Sequence, residues 1–224
     1  MAAQPPRGYL APPVTDRVDT AHSILPLSVL EAMRVLDSPS DEEVAEYVDE
    51  LLKKRLGLSG TVAAQIGRYE QVVRKGGSVP HAELEQILRL AGRRTDAALV
   101  FAEAGRKAAR RALRRLPRSA RWSARYLPGP LRRAIGFRAA RRAAGEVLDV
   151  RLARAQGVVT GRLDHGVAVR ATEDGAACTF YASALAELLR QLVEFEGGMT
   201  HIRCRARGDE RCEWRAGSPA ERRP

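Results

Sequence analysis

Four side chains in the last quarter of this 224-residue chain are soft metal ligands: Cys178, His201, Cys204 and Cys212, at successive spacings of 23, 3 and 8. Three thiolates and one imidazole make a closed tetrahedral set for zinc. Such a site is structural, because no coordination position is left for water or substrate. Cys204 and Cys212 lie four residues either side of Gly208. In a hairpin turning at Gly208-Asp209 they face each other, with α-carbons about 4.5–5.5 Å apart. Cys178 opens a helical pattern, where backbone amides and the helix dipole favour the thiolate that a metal binds. His201 and Cys204 are three apart, and on a regular strand such positions point to opposite faces. Both reach one ion only if the strand carries a bulge or begins late, near His201. Two other readings fit the same residues. Buried cysteines act as small hydrophobes, and Cys204 with Cys212 could form a redox disulfide. There is no CxxC pair, and spacing alone leaves the three readings open.

The elements that position these residues follow from period and punctuation. Pro5, Pro6, Pro12 and Pro13 and the lack of periodicity mark residues 1–25 as a mobile arm. A helical part spans 26–117. It holds a short helix over 27–36 and a helix opened by the capping-box pair Ser40 and Glu43, with Val44, Tyr47, Val48, Leu51 and Leu52 on one stripe. A third helix covers 61–75, and a long one runs from Pro80 to Leu116 with Gly105 as its weak point, stopped by Pro117. Residues 118–130 form a connector around Trp122 and Tyr126, and a basic helix follows over 131–144. Leu148, Val150 and Leu152 alternate with outward positions as a strand does, and so do Val167 and Val169. A helix over 179–195 and the hairpin 199–215 complete an α+β part from 131 to 215, joined to the helical part as one compact domain; 216–224 is a polar tail. The fold class is therefore α+β, helices packed on an antiparallel sheet with a helical N-terminal half.

Charge is uneven. The chain is +11, yet fourteen Arg or Lys and no Asp or Glu lie between Ala104 and Gly145, so the remainder is net −3. Arg106, Arg110 and Arg114 share one helical stripe and Lys107, Arg111 and Arg118 the next; Arg132 and Arg133 lead the following helix. Such a face attracts nucleic-acid phosphates or anionic lipid heads, with Trp122 and Tyr126 placed to stack on bases or sit in a membrane interface. The same composition also describes a solvated face whose long stems cover apolar surface. No phosphate loop, dinucleotide fingerprint or GxSxG elbow occurs. His165, in Asp164-His165-Gly166, reads as a turn residue. No uncharged stretch exceeds twelve residues, the length of Gly175–Ala186, too short to span a bilayer. The N-terminal prolines interrupt any signal sequence and the cysteine count is odd, so a cytoplasmic protein is expected.

Residues 147–214 resemble the four-vinyl-reductase-type domain, a small-molecule-binding family. The resemblance rests on Cys178-Thr179-Phe180-Tyr181, on His201-Ile202-Arg203-Cys204, on the Gly208-Asp209 turn and on Cys212-Glu213-Trp214. It departs at His201, where many relatives have glutamate; histidine is also a good zinc ligand. The resemblance implies a fold similar to that of TRAPP vesicle-tethering subunits. It further implies a homodimer, zinc held by the four ligands, and an apolar cavity between helices and sheet for a small hydrophobic ligand. It points to a sensor or carrier that would need a separate output protein. Relatives include a protein linked to tetrapyrrole vinyl reduction, but a reductase needs an electron donor bound elsewhere, so a non-catalytic role is expected.

Overall fold

A computed structural model describes residues 19–37, 58–117, 128–172 and 174–217. In chain order its elements are β1 (Thr20–His22), α1 (Ile24–Asp37), α2 (Leu58–Arg74), β2 (Ser78–Pro80), α3 (His81–Gly92), α4 (Ala97–Arg115) and α5 (Gly129–Leu148). Then come β3 (Arg151–Ala155), β4 (Val158–Leu163), α6 (Val167–Ala171), α7 (Cys178–Val193), β5 (Gly198–Arg203) and β6 (Cys212–Gly217), with a 3₁₀ turn at Arg205–Arg207. β1 and β2 form a small antiparallel pair, and the main sheet is antiparallel in the order β3-β4-β6-β5. The class is α+β. No helix among the described residues is long and apolar enough to cross a membrane. The capping-box helix at Ser40, Trp122, Tyr126 and Arg118 lie outside the described residues.

One continuous apolar cluster joins the helical half to the sheet. α7 is its axis. It buries Phe180, Tyr181, Ala184, Leu185, Leu188, Leu189 and Leu192, and α4 and α5 grip it at glycines. A Cβ on Gly105 of α4 would fall 2.2 Å from the Phe180 carbonyl oxygen, and one on Gly136 of α5 would fall 1.9 Å from that of Leu192. Gly105 is thus a point of closest approach and not a weak point. The alanines around it (Ala104, Ala108, Ala109, Ala112) let the helices meet backbone to backbone, which is how a chain with 5% aromatics fills its core. One charged group sits inside this contact. Glu187 of α7 is buried and accepts hydrogen bonds from Arg110 (3.1 Å), Arg190 (2.6 Å) and Gln191 (3.2 Å).

Four expectations are corrected. The helix over 80–116 is two helices, broken at 93–96, where Arg94 bonds both Asp96 and Asp37 and so fixes the turn. Leu148 belongs to α5, and the chain reverses at Asp149 in the left-handed region (φ 56°) before β3 begins. The alternation at Val167 and Val169 is helix α6, whose buried face is Val167, Ala168 and Ala171. The second strand is instead β4, paired to β3 through a tight turn at Gln156 and Gly157, both at positive φ. Residues 20–25 are not part of an arm, because Thr20–His22 pairs with β2 and Ile24 and Leu25 are buried, and residues 1–18 lie outside the described residues.

Candidate metal centre

The turn before α7 is built from local capping. The Asp174 carboxylate accepts from the Ala176 amide (2.9 Å) and the Thr172 hydroxyl from the Ala177 amide (3.1 Å). They fold the turn, and the first amides of α7 donate back into it, Cys178 to the Gly175 carbonyl (2.9 Å), Thr179 to that of Ala176 (3.0 Å) and Phe180 to that of Ala177 (3.2 Å). Gly175 occupies the left-handed region (φ +73°). A Cβ there would lie 2.7 Å from Cys204 Sγ and 3.9 Å from Cys178 Sγ, so only glycine leaves room for the two sulfurs.

β5 carries the irregularity that the 201–204 spacing demands. His201 pairs with Trp214 and Arg203 with Glu213, which leaves Ile202 as an extra residue. The bulge puts His201 and Cys204 on one side and turns Ile202 outward, 46% exposed. Cys204 and Cys212 are not opposed across a ladder, as the hairpin argument expects. Cys212 pairs with Leu163 of β4, and Cys204 sits past the end of β5. A tight loop brings it back. Its amide donates to the Asp209 carboxylate (2.6 Å) and its carbonyl accepts from the amides of Arg207 (2.9 Å) and Asp209 (3.2 Å).

All four predicted ligands come together. The three sulfurs and one ring nitrogen of His201 lie within 4.8 Å of one another. Cys178 and Cys212 sulfurs are 3.9 Å apart. Two thiolates on one tetrahedral zinc, each at about 2.3 Å, stand about 3.8 Å apart, whereas a disulfide needs about 2.05 Å. All three cysteines are free and buried. Burial alone also fits three small hydrophobes, but it does not explain why an imidazole joins them. His201 stacks on Trp214 (centroids 5.0 Å apart, 15° between planes), and its Nε2 is buried with no hydrogen-bond partner among the described residues.

The two touching sulfurs shift each other in opposite directions. The Cys212 thiol is pulled below its ordinary value by the hydrogen bond from Cys178, against burial. The Cys178 thiol is pushed well above its own by the same contact and then by burial. The upward push at Cys178 runs against the helix dipole, because a like charge on the sulfur 3.9 Å away, in a buried setting, is costly. A divalent ion would displace the thiol protons and offset two of the three thiolate charges, leaving the set at −1. Donor chemistry, sulfur spacing and burial all fit, and Cys178, His201, Cys204 and Cys212 could hold a metal ion.

The basic block is largely used within the molecule. Arg106 and Lys107 pair with Glu103, Arg110 with Glu187, Arg111 with Glu31 and Arg132 with Glu194. Arg114 and Arg133 are exposed. His165 is an exposed turn residue beside Arg205 (2.9 Å).

A cleft of about 550 Å³ opens between the sheet and the helices. Its floor is Phe137 of α5, Leu189 and Val193 of α7, Val159 of β4 and Phe195, with Arg133, Arg154 and Arg215 among its polar lining. Sequence reasoning assigned no pocket residues and missed Gly175 and Asp209 as the groups that place the sulfurs. Their signals were there in the sequence, a lone glycine three before a cysteine and the acid of a Gly-Asp turn. No family model matches the chain, no curated protein matches it, and no solved structure matches it.

Proposed function

We propose that the chain is a non-catalytic module that binds a small apolar ligand, as a sensor or carrier, and that a structural zinc at Cys178, His201, Cys204 and Cys212 holds the binding region in shape. The observation that carries the reading is the convergence of four soft ligands from separate segments within 4.8 Å. One ligand opens α7, one precedes the bulge of β5, one lies beyond its end and one starts β6. An ion there fastens the β5–β6 ribbon to the first turn of α7. The same α7 ends in the cleft beside the sheet, so the staple and the cleft share one rigid element. A closed four-ligand set leaves nothing for chemistry, which favours binding over catalysis. The apolar floor and volume of the cleft suit a small hydrophobic molecule. The resemblance to the four-vinyl-reductase-type domain supports the same reading and suggests a homodimer.

Two measurements test it. Purified protein should carry one zinc per chain and keep its thiols unreactive until a chelator is added; metal-free protein with three freely reacting thiols refutes the staple. Native mass spectrometry should find an apolar molecule retained by the protein and lost on Val193→Arg. A bare mass, together with no uptake of an apolar fluorescent probe, refutes the ligand role.

A further inference from the structure

A second cleft, of about 590 Å³, lies where the start of α1 meets the ends of α2 and α4. It shares no residue with the metal centre or with the cleft beside the sheet. Five cations line it: Arg74 and Lys75 from the end of α2, and Arg111, Arg114 and Arg115 from the last turns of α4. Ile24 and Val73 give it an apolar wall. Gly76 lies between the two helix ends at positive φ (+70°), and a Cβ there would stand 3.6 Å from an Arg115 guanidinium nitrogen. Among the described residues only Arg111 of the five has its charge matched, by Glu31. One cation at each helix C-terminus is ordinary complementation of a dipole worth roughly half a charge; five in one recess exceed it. The net charge left in the cleft is about +3 after Glu31 and the helix ends are allowed for. The field is felt by a neighbour: His22, half-buried, is held below its ordinary value by burial and then by Arg115.

We propose that this cleft binds a small phosphorylated molecule carrying at least two negative charges. The guanidinium groups of Arg114 and Arg115 receive the phosphate oxygens in paired hydrogen bonds, Arg74 and Lys75 add charge, and the wall of Ile24 and Val73 takes the organic body. The volume is that of a small-molecule site. A recess in which the cations converge favours a compact polyanion over an extended strand or a flat lipid surface, which would engage cations spread along a helix face.

Inorganic pyrophosphate is the probe, titrated into the full chain by calorimetry at about 50 mM salt, where screening is weak. One saturable site per chain is expected, weakened at least about tenfold by Arg114→Glu and by Arg115→Glu. Arg138→Glu, an exposed charge on α5 outside the cleft, should change it by less than about twofold. Circular dichroism melts confirm that the variants fold. Three results overturn the proposal: no saturable binding of pyrophosphate, equal weakening by Arg138→Glu, or binding of duplex DNA or phosphatidylserine vesicles with which pyrophosphate does not compete. The last would assign the charge to a macromolecular surface.

Discussion

Substituting alanine at two helical glycines should move stability in opposite directions. In α4 a methyl on Gly105 meets the Phe180 carbonyl oxygen at 2.2 Å, the Ala184 nitrogen at 2.9 Å and Ser183 Cβ at 3.0 Å. A carbon in contact with a carbonyl oxygen stands about 3.3 Å away, so α4 and α7 must part by roughly 1 Å. Two of the three obstacles are helical backbone and cannot rotate aside. Overpacking of this kind costs typically about 1–3 kcal/mol and more against rigid partners, while alanine returns about 1 kcal/mol of helix propensity. We expect a net loss of about 2 kcal/mol, which in a chain of this size lowers Tm by roughly 4–8 °C. Gly145 of α5 has nothing within 4 Å of an added Cβ, so Gly145→Ala keeps the propensity gain and raises Tm by about 1–4 °C. Thermal melts of both variants beside the parent decide the matter. Gly105→Ala melting at or above the parent, or both variants shifting the same way, would refute the account of how α7 is gripped. Phe180 is two residues past Cys178, so Gly105→Ala should also lower the metal content per chain.

Gly175→Ala adds a methyl 2.7 Å from Cys204 Sγ at a positive φ; we expect about 1–2 kcal/mol of backbone strain and loss of metal, read by metal analysis. Glu187→Gln removes the buried charge shared by Arg110 and Arg190. Because those arginines are 52% and 51% exposed, water recovers part of the loss, and a drop of about 1–2 kcal/mol in stability, read as a lower urea midpoint at unchanged slope, is expected. His22 titrates below the ordinary value of 6.5 in the folded chain, through burial first and Arg115 second. The unfolded chain therefore binds more protons just below that pH, and stability is full above about pH 6.5 and falls as pH drops through the window beneath it. His22→Asn, which keeps an acceptor for the Ile24 amide (3.1 Å from His22 Nδ1), should flatten this acid slope in urea titrations near pH 7 and pH 5. An unchanged slope would show that His22 does not produce it.

The four residues of the candidate metal centre were legible because side-chain chemistry does not depend on the backbone that carries it. The odd spacing of His201 and Cys204 even demanded a strand irregularity, and the bulge at Ile202 supplies it. The route by which Cys204 meets Cys212 was not legible. Symmetry about Gly208 suggested opposed strands, while the backbone folds a 3₁₀ turn there and gives Cys212 to β4. Two alternating valines at 167 and 169 could not separate strand from a single helical turn, because five residues are too few for the two periods to diverge. β4 escaped notice because its inward positions include Gly161, which has no side chain to mark the period. The cleft beside the sheet combines residues of α5, β4, α7 and β6, a meeting that tertiary packing alone determines.

β5 is an outer strand of its sheet, with amide and carbonyl groups along its free side. The extra residue at Ile202 interrupts their even spacing near the end of the strand, and Arg203 follows it into solvent. A second chain laid alongside would lose its hydrogen-bond rhythm there and meet a charge. The kink that lets two ligands share a side therefore also guards this border against edge-to-edge aggregation.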